Sequence, residues 1–112
     1  MTTSEHAPLG VLEEQVIVAV LRTASEPFGM NIRRELERVT GRSVAIGAVY
    51  ATLDRLEAKG LLSSHRAVAS GPSRRAFALT SVGARALTDT QAMRERLWQG
   101  VDVSRLAAMA RA

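Results

Sequence analysis

The run Ser43 to Leu62, SVAIGAVYATLDRLEAKGLL, constrains this chain more than any other stretch. Ile46, Val49, Leu53 and Leu56 recur at spacings of three, four and three, which is one face of an α-helix. Gly60 ends that helix, and Lys59 lies in its last turn, where a cation suits the helix dipole. The opposite face carries Ala48, Ala51, Asp54, Arg55 and Ala58. Small residues near the start, flanked by Tyr50 and Arg55, allow close approach to a large grooved surface. The major groove of DNA is such a surface.

The neighbouring segments dictate what the helix packs against. Leu9 to Thr23 reads as a first helix with a core stripe of Leu12, Val16, Ala19 and Val20, widened by Val18 and Leu21. Ser25-Glu26-Pro27 breaks it. A second helix follows over Gly29 to Val39, with Ile32, Leu36 and Val39 inward, ended by Thr40-Gly41. Ser43-Val44-Ala45 is a short extended approach to the central helix, Ile46 to Lys59, so the pair reads as helix-turn-helix. Leu61 to Val68 and Arg75 to Leu79 alternate apolar and polar about a turn at Ala69-Ser70-Gly71-Pro72-Ser73, a β-hairpin. Thr80 caps a fourth helix, Ser81 to Gln99. Gly100 interrupts it, and Val101 to Ala112 either forms a short helix from Asp102 or stays loose.

The fold class is therefore mainly α with a small β-hairpin (α+β). A winged helix-turn-helix DNA-binding domain is expected over residues 9–80, and a C-terminal dimerisation helix and tail over 81–112. A compact winged helix does not need the fourth helix for its core. Its stripe of Val82, Ala86, Met93 and Leu97, with Trp98 beside it, is assigned to a second copy of the chain.

Composition narrows the function classes. With 112 residues, 46% hydrophobic and 23% charged, the chain suits one folded domain. No apolar run approaches a bilayer span, so a soluble, cytoplasmic protein without membrane contact is expected. Cysteine is absent, which excludes disulfides and thiolate chemistry. Net charge is only +4, but no Asp or Glu lies between Ala58 and Thr88, where Lys59, Arg66, Arg74, Arg75 and Arg85 do. Fourteen of the fifteen basic residues are Arg, the better fork for phosphate and guanine.

LGVLEEQVIVAVL, FGMNIRREL, SVAIGAVYATLDRLEAKGLL and GPSRRAFALTSVGARAL together resemble the PadR family of transcriptional regulators. The resemblance spans Leu9 to Leu87, about seventy percent of the chain. It rests on Gly47-x-x-Tyr50-x-x-Leu53-x-x-Leu56-Glu57-x-x-Gly60-Leu61 and on Leu79-Thr80-x-x-Gly83. It implies a dimeric winged helix that binds an operator and is released by a small molecule or another signal. The short tail resembles the smaller subclass with a single C-terminal dimerisation helix. Two positions depart from the pattern. Ala45 stands where a serine hydroxyl commonly precedes the recognition helix, and Ala76 precedes a single Phe77 where tandem aromatics are common.

The DNA-binding candidates are Ala48, Tyr50, Arg55, Lys59, Arg66, Ser73, Arg74 and Arg75. Ala48 offers a methyl-sized contact to a thymine methyl. The resemblance places Tyr50 near the DNA backbone; its alternative is an aromatic bridging the central helix and the hairpin. Arg55 either pairs with a nearby acid of its own helix or meets phosphate. Arg74 and Arg75 are presented together at the wing base, with a Ser73 hydroxyl beside them. Lys59 and Arg66 are further phosphate candidates.

Trp98 either stacks on a small-molecule effector between subunits or anchors the dimer interface of Val82, Ala86, Met93, Leu97 and Trp98 itself. His65 sits on a strand and His6 in the polar start, so no metal site is expected, and no cofactor. Paired carboxylates with a histidine base and a phosphate-cradling glycine loop are missing from the sequence, which argues against an enzyme. The competing reading is a winged helix that binds another protein and not DNA.

Overall fold

The computed structural model describes residues 8–67 and 74–112. In chain order these form α1 (Val11–Arg22), α2 (Gly29–Thr40), α3 (Ile46–Ala58), β1 (Leu62–Ala67), β2 (Arg74–Leu79), α4 (Ser81–Trp98) and α5 (Val103–Arg111). The predicted turn at 69–73, Ser73 included, and the N-terminal segment with His6 lie outside the described residues.

The core is built where α1, α2, α3 and the hairpin meet. Val16, Ile17, Ile32, Val49, Leu53, Leu56, Leu62 and Phe77 are each fully buried there. Burying side chains of this size stabilises the fold by about 1.5–3 kcal/mol apiece. The predicted stripe of α3 holds, with Ile46 packed at its edge. Two inward assignments do not hold. Val18 and Leu21 are 37% and 46% exposed, and Ile17 takes the buried place between Val16 and Ala19. Val39 is 54% exposed, because the last turn of α2 passes beyond the core.

Ala45, at the N-cap of α3, supplies no side-chain acceptor, so the approach to the helix is fixed from α2. Arg33 Nε donates to the Val44 carbonyl at 2.8 Å, and the Val44 N–H donates to Glu37 Oε2 at 2.8 Å. Two side chains one helical turn apart thus hold the connector by both polar groups of Val44. At the far end Gly60 adopts φ +78°, a left-handed turn that turns the chain directly into β1.

The hairpin pairs antiparallel, from Leu62 opposite Leu79 to Ala67 opposite Arg74. Pro27, predicted only as part of the break after α1, and the adjoining Phe28 add a rung to it. Phe28 bridges Ala76, and the Phe77 N–H donates to the Pro27 carbonyl at 3.1 Å. Ala76 and Phe77 point to opposite faces of β2 yet both are buried, so the strand is covered on both sides there.

The fourth helix divides into two parts. Thr80 Oγ1 accepts the Gly83 N–H at 3.0 Å and donates to the Gly60 carbonyl at 2.7 Å, pinning the helix start to the base of the hairpin. A Cβ on Gly83 would lie 2.1 Å from the Leu61 carbonyl oxygen, so only glycine allows this approach. Ala86 is buried in the core, and Val82 and Leu87 pack against it. The expectation that the core does without this helix is therefore corrected, and Ala86 is already covered by its own chain. Buried Thr90 accepts the Leu9 N–H at 3.1 Å.

Beyond Arg94, which is ion-paired with Glu14 of α1, the helix leaves the body. Leu97 and Trp98 are 70% and 52% exposed. The chain continues through Gly100 into α5, capped by Asp102, with no buried residue. The radius of gyration, 16.5 Å, exceeds the roughly 13 Å of a compact chain this long, because this arm projects. Among the described residues no helix is long and apolar enough to cross a membrane.

Candidate nucleic-acid interface

The outer side of α3 is almost bare of bulk at its N-terminal half. Gly47, Ala48 and Ala51 are all exposed, while Thr52 turns inward and bonds the Ala48 carbonyl at 2.8 Å. A rod with so little side chain on one face can bring its backbone close to a groove floor.

Tyr50 flanks this face, half-exposed, with its ring laid over the head of α2. A Cβ built on Gly29 would sit 2.5 Å from the ring and its hydroxyl. The ring therefore reaches from α3 to the head of α2. The residue before Gly29 is Phe28, and the Arg74 guanidinium stands 5.4 Å from its ring centroid. Tyr50 and Arg74 thus converge on two adjacent residues at the start of α2. An exposed cation over an aromatic face is held by only about 0.5–1 kcal/mol, so Arg74 is positioned without being neutralised.

Arg75 behaves differently, which corrects its grouping with Arg74. Successive strand residues point to opposite faces. Arg75 Nη1 donates to Asp54 Oδ1 at 2.9 Å and Nη2 to Glu57 Oε1 at 2.6 Å, with the guanidinium 4.8 Å over the Phe77 ring. The bond from Asp54, before that from Glu57, raises its pKa further. Glu57 also accepts from Ser64 Oγ at 2.8 Å. Arg75 ties the hairpin to α3 and is not an open phosphate ligand in this conformation.

Arg55 and Lys59 are likewise engaged, but by α1 and not by acids of their own helix. Lys59 Nζ lies 2.9 Å and Arg55 Nε 3.6 Å from Glu13 Oε2. The Lys59 bond first, then the Gly10 N–H, holds the Glu13 carboxyl below its ordinary pKa. Arg66 and His65 are exposed on β1, opposite Arg75 and Ala76.

Two further cations, Arg34 and Arg42, lie outside the run from Lys59 to Arg85 and are not among the DNA-binding candidates of the sequence. Arg42 is exposed in the connector just before α3, and Arg34 bonds only to Asn31 Oδ1, at 3.1 Å. With Arg74, neither has an ion pair among the described residues. The signal for Arg42 was its place inside the turn of a helix-turn-helix. Cations at the C-terminal half of α3 are thus matched internally, whereas those at Arg34, Arg42 and Arg74 are not.

Between α1 and α2, Val18, Ala19, Leu36 and Val39 line an apolar groove of about 330 Å³, edged by Arg94. Trp98 does not line it. Among the described residues no group of three or more potential metal ligands occurs.

Residues 17–89 match the PadR-like family of transcriptional regulators. Over 73 residues the chain is 41% identical to transcriptional regulator Rv3488 of Mycobacterium tuberculosis, a match covering 65% of this chain and 67% of that protein. Its structure is similar to a PadR-like transcription factor from Bacteroides fragilis, with TM-score 0.70 and 26% identity over 83% of this chain and 88% of the other. It is also similar in fold to Bacillus subtilis PadR, solved with operator DNA. There the TM-score is 0.61 and the identity 21%, over 74% of this chain and 47% of that one.

Proposed function

We propose a function that proceeds from one premise: the chain belongs to the PadR-like family of transcriptional regulators. It is a regulator, not an enzyme. As a homodimer it binds a near-palindromic operator and represses until a small molecule or another signal releases it. The observation that carries the DNA reading is the small, exposed N-terminal face of α3, with Tyr50 and Arg74 converging beside it. The N-terminal residues of a recognition helix are the ones that meet base edges in helix-turn-helix complexes. That Bacillus subtilis PadR was solved with operator DNA supports the same reading.

In this mechanism residues 9–80 form the DNA-binding unit, with the first turns of α4 packed into its core, and the remainder of 81–112 pairs the two copies. Met93, Leu97 and Trp98 form the dimer seam, with Val82 at its inner end; Trp98 serves as an anchor or as a platform for a flat effector. Pairing sets two α3 helices about one DNA turn apart, ~34 Å. Ala48 and Ala51 approach the groove floor, and Tyr50, Arg42 and Arg74 meet the backbone. Arg66 on β1, and Ser73 just before β2 in sequence, add flanking contacts. An effector that prefers another angle between the copies shifts the half-site spacing and lowers affinity.

The test is duplex binding as a function of salt. A duplex from upstream of the protein's own coding region should bind more tightly than a random one, and both should weaken steeply as salt rises. If neither binds at low salt, the DNA reading fails and the protein-binding reading replaces it.

A further inference from the structure

The exposed stripe of α3 does not stop at its small half. From Ala48 it runs through Ala51 and Arg55 to Lys59, at helical spacings of three, four and four, all exposed. Its last two members are cations on the groove-facing side, yet both are drawn to one carboxylate of another element. Glu13 stands at the first turn of α1, its side chain only 14% exposed. Oε1 accepts the Gly10 N–H at 2.9 Å, and Oε2 faces Lys59 Nζ at 2.9 Å and Arg55 Nε at 3.6 Å. The Gly10 N–H anchors this carboxylate to its own backbone, whereas the cations it faces are long and half-exposed. It offers these two cations an anionic oxygen of the kind a phosphate would offer. Its low pKa keeps it charged at neutral pH.

We propose that Glu13 is an intramolecular stand-in for a DNA phosphate, which withholds Arg55 and Lys59 from the duplex and so confines the backbone footprint to the N-terminal end of α3. This rests on the DNA-binding reading above. The consequence is for specificity. Phosphate contacts raise affinity for every sequence alike, so two fewer of them leave base contacts a larger share of the binding energy. The next residue of α1, Glu14, is ion-paired with Arg94 of α4. Position thirteen faces the recognition helix and position fourteen the C-terminal helix.

The experiment compares the salt dependence of duplex binding for the wild type and Glu13→Gln. Gln keeps the bond to the Gly10 N–H that a helix start of this kind uses, so folding is retained, and a thermal unfolding curve verifies it. Releasing two cations to phosphate should steepen the slope of log K against log salt by about 1.8. The affinity gain of the variant should then shrink about twelvefold between 50 and 200 mM salt, and should be as large on a random duplex as on the operator. Adding Arg55→Met and Lys59→Met to Glu13→Gln should return the slope to that of the wild type. Glu14→Gln, facing away from α3, should leave it unchanged. An unaltered slope in Glu13→Gln, with the wild type binding normally, overturns the inference alone. A wild type that binds no duplex removes the functional reading and this inference with it.

Discussion

Gly83 shows how a single missing Cβ decides where an element sits. The atom it lacks would lie 2.1 Å from a backbone oxygen, which cannot retreat as a side chain can. Gly83→Ala should therefore destabilise the fold by about 2–3 kcal/mol, read as a lower urea midpoint with unchanged slope. Gly29 is the contrasting case, because its missing Cβ would meet the outer end of the Tyr50 ring. Gly29→Ala should leave stability within about 1 kcal/mol and weaken duplex binding, since the ring must move. Glu35 carries the pH prediction. Bonds first from Arg38 and then from Arg22 hold its pKa at about 2, against an ordinary 4.5. The folded state thus favours the anion. Its contribution is complete above about pH 4.5 and is lost as the pH falls toward 2. Stability measured across that range should fall less steeply in Glu35→Gln than in the wild type.

The hairpin assigns different work to neighbouring arginines. Arg74→Ala should reduce the salt slope of duplex binding by about 0.9 and leave unfolding unchanged. Arg75→Ala should cost about 1 kcal/mol, because it unties β2 from α3 at Asp54 and Glu57. Equal effects of both on the slope would contradict this division. That division was not legible in the sequence, where the two appear as one basic pair. Their strand and its period of two were readable, but the acids waiting on α3 belong to tertiary packing. The elements themselves were legible wherever a local rule decided them: Ile46 to Leu56 by helical spacing, Gly60 by its left-handed turn, Thr80 by its cap. Val18, Leu21 and Val39 misled because an apolar side chain on a helix declares that it avoids water, not what covers it. Glu13 was invisible as a partner of Lys59 for the same reason: 46 residues separate them in sequence.

Viewed whole, the molecule is a packed body with an unpacked arm. Leu97, Trp98, Val103 and Met109 are more than half exposed on an arm whose terminal helix has no buried residue. A nine-residue helix is marginal in water without packing, which supports pairing with a second copy. Leu97→Glu should yield monomers by sedimentation equilibrium and lose operator affinity, with the fold intact because Leu97 is 70% exposed. A variant that stays dimeric would place the interface elsewhere. The central claim is that the bare half of α3 enters the major groove, twice per duplex. Methylation interference at guanine N7, on a duplex that the purified protein enriches from genomic fragments, tests it most directly. The account predicts two patches of interference about 10 base pairs apart, centre to centre. Binding that ignores N7 methylation everywhere on the duplex would contradict it.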